Sequence, residues 1–76
     1  MHAEKELLAL GENLYRLRRE SGYTQKEMAE ICGMSTAMLS KLERGLAPQR
    51  LRAIVLYRTS RHFRISVETL LTSLSD

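Results

Sequence analysis

The sequence predicts an all-α fold, a compact arrangement of five short helices. Two observations predict it. Apolar residues recur at spacings of three and four with no block of sustained apolar/polar alternation, and Gly11, Gly22, Gly33, Gly45 and Pro48 cut the chain into short blocks with cap residues at their starts. At 76 residues there is room for one domain, expected to span 1–76. The chain is 43% apolar and 28% charged, the balance of a globular protein.

The first helix is read from Leu7, Leu10, Leu14 and Leu17, which stack on one face, with Glu4 and Glu6 near its start and Arg16, Arg18 and Arg19 near its end complementing the macrodipole. Gly22 supplies its stop. Thr24-Gln25-Lys26-Glu27 is a capping box that opens a second helix carrying Met28, Ala29 and Cys32. Gly33 interrupts that helix, and Ser35 is a natural N-cap for a third, over about 35–44, with Met38, Leu39 and Leu42 on one side and Thr36, Ala37, Ser40, Lys41 and Arg44 on the other. A loop through Pro48 leads to a fourth helix at roughly 52–62. Ser66 then caps a fifth that carries Val67, Leu70, Leu71 and Leu74.

Two helices joined by a tight glycine-containing turn describe a helix-turn-helix, here about residues 24–45. Ala29 is the small residue that a close helix crossing favours, Gly33 suits a turn needing positive φ, and Met34, Leu39 and Leu42 are the apolar anchors after it. Further markers are Leu14, Leu17 and Arg18, Gly22-Tyr23-Thr24-Gln25, Leu39 through Gly45, Phe63 through Val67, and Leu70-Leu71. On these residues the chain resembles the phage-repressor-like DNA-binding domains, the XRE or Cro-type helix-turn-helix family, over about residues 10–72. The resemblance implies a five-helix domain, commonly dimeric, that binds operator DNA and regulates transcription. It implies that Gln25 contacts phosphate and braces the recognition helix, that Thr36, Ala37, Ser40 and Lys41 face base edges, and that Arg44 meets the backbone beyond them. It also implies a structural ion pair between Arg18 and Glu43.

Residue chemistry agrees with that assignment. Lys41 can donate to guanine O6 and N7, the methyl groups of Thr36 and Ala37 can pack on a thymine methyl, and Ser40 can donate or accept. Ser35, Arg44, Arg50 and Arg52 are expected at phosphates with the helix N-terminal amides. The face carries no Gln, Asn or Arg before Arg44, so the bidentate amide reading of adenine common in relatives is absent.

The charge distribution points the same way. Net charge is +3, yet residues 41–64 alone hold seven basic side chains and one acidic, a field that attracts polyanions. Arg58, Arg61 and Arg64 in that segment read as a solvated face, His62 as an exposed polar residue without a role, and Met28, Met34, Met38 and Cys32 as core filling. The lone Cys32 has no intrachain disulfide partner, and Cys32 with His2 and His62 falls short of the four ligands of a structural zinc site. No acid, base and nucleophile converge, so an enzyme is not expected, and neither is a cofactor. Without a run of roughly 20 apolar residues or a secretory start, the expectation is a cytoplasmic protein with no membrane partner. The expected partner is a double-stranded DNA operator, bound as a homodimer through Leu70, Leu71 and Leu74, which exceed what a small core can hide. The alternative is a small protein-interaction module, an antitoxin or phage accessory factor, docking a protein partner through that same C-terminal helix.

Overall fold

The computed structural model describes residues 4–73. They form α1 (Glu4–Ser21), α2 (Gln25–Cys32), α3 (Thr36–Glu43), α4 (Ala53–Phe63) and α5 (Val67–Leu70), with no strand among the described residues. The core gathers one stripe from each helix: Leu10, Leu14 and Leu17 from α1, Met28, Ala29 and Cys32 from α2, Leu39 and Leu42 from α3, Val55 from α4 and Leu70 from α5. Met34 and Met38 are half-buried against it.

Gly11 is not the punctuation that its residue type suggests. It lies buried inside α1, where a Cβ would collide with the carbonyl oxygen of Leu42, so its missing side chain is what lets α1 cross the end of α3 backbone to backbone. A glycine inside a helical pattern costs up to about 1 kcal/mol relative to alanine, and close packing is the usual compensation.

α2 begins on the capping box, with the Glu27 amide donating to Thr24 Oγ1 at 3.1 Å and the Thr24 amide donating to Glu27 Oε1 at 2.9 Å. It ends on Gly33 at φ 78°, whose amide donates to Glu30 O, while the Met34 amide donates to Ala29 O at 3.0 Å. This is a Schellman closure, and it needs the left-handed conformation that glycine adopts without strain. From α4, Arg58 adds to it: Nε donates to Ile31 O at 3.1 Å and Nη2 to Glu30 O at 2.9 Å. Arg58 thus does more than face solvent; it satisfies the Ile31 carbonyl that the end of α2 leaves unpaired and gives Glu30 O a second donor.

His62 also has a place that its sequence context does not announce. Its Nε2 lies 3.1 Å from the Tyr23 hydroxyl, and its ring meets Phe63 edge-on at 4.8 Å, which ties the α1–α2 turn to the end of α4.

The C-terminal leucines correct the expected surplus. Leu70 is 1% exposed and packs in the core, so it is not available to a second copy, and Leu71 is half-buried against the same cluster. Leu74 lies outside the described residues. The physical reason is Asn13, a buried polar side chain of α1 whose Nδ2 donates to Leu70 O at 2.7 Å, Thr72 O at 3.0 Å and Thr69 O at 3.3 Å. That fastening draws the single turn of α5 inward and seats Leu70 beneath it.

Candidate nucleic-acid interface

The outer side of α3 follows from its eight residues. Leu39 and Leu42 are buried on the inner side of the helix, while Thr36, Ala37, Lys41 and Arg44 are exposed and Ser40 is half-buried. Glu43 is the one acid in the helix, and it turns inward, leaving the exposed side without negative charge. Ser35 caps the helix by accepting the Met38 amide at 3.0 Å. The side chains of Thr36 and Lys41 make no hydrogen bond or ion pair among the described residues, so both are available to an outside partner.

Behind that face stands a buried network. Glu43 Oε2 accepts from Arg18 Nε at 2.7 Å, and Glu43 Oε1 accepts from Arg18 Nη2 at 2.9 Å and from Gln25 Nε2 at 3.0 Å. Arg18 Nη1 donates onward to Tyr23 O at 3.2 Å. The side chains of Arg18 and Glu43 are 13% and 4% exposed, which makes this a desolvated, bidentate pair. The hydrogen bond to Glu43 raises the pKa of Arg18 above its ordinary value and outweighs desolvation, which acts the other way. One carboxylate thereby joins α1, the first residue of α2 and the last residue of α3. Gln25 spends one amide proton on this brace and keeps a second.

The remaining cations lie at the two ends of α3. Arg44 follows its last turn, with Nε 3.4 Å from Ser40 O. Arg50 and Arg52 are exposed in the loop before α4, close to Ser35 and Met34 at the start of α3, and neither guanidinium has a partner among the described residues. The structure thus brings Ser35, Thr36, Ala37, Ser40, Lys41, Arg44, Arg50 and Arg52 to the surroundings of one helix, and Gln25 to its brace. Leu70 and Leu71 belong elsewhere.

Among the described residues no group of three or more His, Cys, Asp or Glu side chains could hold a metal ion, and no helix is long and apolar enough to cross a membrane. Cys32 is buried, and desolvation raises its thiol pKa, which disfavours the reactive thiolate.

Residues 14–70 match the family model described as Helix-turn-helix. Over 36 residues the chain is 53% identical to an uncharacterized HTH-type transcriptional regulator, y4dJ, of Sinorhizobium fredii; the match covers 47% of this chain and 47% of that protein. The chain therefore spans about half the length of the curated relative it matches. No solved structure matches the chain.

Proposed function

Since the chain belongs to the helix-turn-helix family, we propose that it is a DNA-binding transcriptional regulator that inserts α3 into the major groove. The observation that carries this reading is the outer face of α3: small or flexible side chains at Thr36, Ala37, Ser40 and Lys41, no outward acid, and unpaired cations nearby. A major groove about 12 Å wide accepts a helix, and small side chains let the backbone approach closely enough for Lys41 to reach a guanine edge. Arg44, Arg50 and Arg52 hold phosphates on either side, and Gln25 offers its second amide proton to another. These contacts supply affinity, while the α3 face supplies discrimination.

One copy makes few base contacts, so the operator is read by a two-fold dimer on half-sites about one helical turn apart. Leu71 and the exposed Val67 are the apolar groups that α5 and its cap leave for that contact, since Leu70 is spent in the core. The same burial weakens the alternative reading of an apolar C-terminal helix docking a protein partner. Selection of bound duplexes from a random pool tests the proposal: a symmetric consensus is expected, and a pool that emerges unenriched would overturn it.

A further inference from the structure

Beside the start of α3, where the turn after α2 faces the loop before α4, lies a cavity of about 260 Å³. Met34, Met38, Leu51 and Val55 line it together with Arg50 and Arg52. No acidic residue lines it. Most of its lining surface is apolar, and neither the Arg50 nor the Arg52 guanidinium has an intramolecular partner among the described residues. We propose that this cavity is a binding site for a small anionic amphiphile, an alkyl carboxylate whose chain lies on the two methionines and whose head group is held by Arg50 and Arg52.

Three properties select that ligand class. The volume falls just below the roughly 300–1,000 Å³ of sites for drug-sized molecules, which suits a ligand of about ten heavy atoms. Methionine walls adapt to a flexible chain, being unbranched and polarizable. Guanidinium groups match a carboxylate in charge and in planar geometry, so a neutral alcohol of the same length forfeits the strongest contact. An inorganic anion lacks the chain and leaves the apolar lining exposed.

The site also has a regulatory consequence, which rests on the DNA-binding reading. Arg50 and Arg52 are the cations assigned to phosphate there, and one pair of guanidiniums cannot serve a bound carboxylate and the duplex together. Filling the cavity therefore releases DNA.

The test uses the full chain with methionine methyl groups labelled, followed by NMR during titration with sodium octanoate below its micellar concentration. Met34 and Met38 are expected to shift saturably while the fully buried Met28, which does not line the cavity, stays in place. Neither 1-octanol nor acetate at the same concentration should reproduce the shifts, and Arg50→Gln with Arg52→Gln should weaken octanoate binding by at least about tenfold. Absence of any shift, equal shifts at Met28, Met34 and Met38, or equal binding of 1-octanol would overturn the proposal. In a second arm, saturating octanoate is expected to lower affinity for a selected duplex by at least about tenfold, the effect of losing two phosphate contacts. Octanoate binding with unchanged DNA affinity would overturn the regulatory half. A chain that binds no duplex at all would defeat the DNA reading, while the methyl titration would still judge the cavity.

Discussion

Gly11 in α1 and Leu42 in α3 meet with no side chain between them, the Leu42 carbonyl occupying the space where a Cβ on residue 11 would sit. The obstacle is backbone, which has no rotamer by which to withdraw. Gly11→Ala should therefore destabilise by about 1–3 kcal/mol, even though alanine favours helix by up to about 1 kcal/mol elsewhere. Urea denaturation measures the difference, and an alanine variant as stable as the parent would show that α1 and α3 can separate without loss.

Removing one member of the Arg18–Glu43 pair leaves the other charge desolvated. Glu43→Gln is expected to cost about 3–5 kcal/mol, and a double-mutant cycle with Arg18→Met should return part of it, because the uncompensated cation is then gone as well. The pair gives no pH dependence through Arg18 near neutrality. A group whose folded pKa is raised stabilises below its unfolded value and loses that stability only as pH climbs through the folded one, and for Arg18 both lie beyond the working range. Thermal melts of Glu43→Gln and of the double variant at pH 7 decide the point.

On the proposed reading, Lys41 and Arg50 fail differently when replaced. Lys41→Ala should cost about 1–3 kcal/mol on a preferred duplex and flatten discrimination at one base position. Arg50→Gln should weaken preferred and scrambled duplexes alike and reduce the salt slope of log affinity by about 0.9. Fluorescence anisotropy across a salt series separates the two, and equal losses on both duplexes for Lys41→Ala would move that residue to the phosphates.

Asn13→Ala removes the amide that holds the carbonyls of Thr69, Leu70 and Thr72. Of the three, the Leu70 carbonyl makes the buried contact, and a buried acceptor left unpaired costs about 1–3 kcal/mol, so the loosening should be local. Hydrogen exchange is expected to accelerate at the amides of Leu70, Leu71 and Thr72 well before it does in α2 or α3. Uniform acceleration would mean instead that Asn13 supports the whole core.

The helix order and the motif were legible because their signals are local. Thr24 with Glu27, Gly33 and Ser35 are cap and turn residues whose partners lie within a few positions, and the third and fourth helices begin or end within one residue of where the pattern places them. What escaped was tertiary. Asn13 has its acceptors 56 to 59 positions away, Arg58 reaches back 27 and 28 to the end of α2, and nothing in the stretch around either names those partners. Gly11 did leave a trace: a glycine between Leu10 and Leu14 on a helical stripe signals close approach more than a break. Asn13 left a fainter one, since it falls on the same stripe as Leu10, Leu14 and Leu17, where a polar side chain implies a satisfied buried amide. Leu70 falls in the core because a one-turn helix can be drawn inward, which a count of leucines does not express.

The α2–α3 pair is gripped at opposite extremities, by Glu43 in the last turn of one helix and by Arg58 at the final carbonyls of the other. Held that way, the two helices must break a buried bidentate pair before they swivel to follow an irregular groove. On the DNA-binding reading, any misfit in curvature falls to the duplex, so the chain would favour flexible pyrimidine–purine steps at positions that none of its side chains touch.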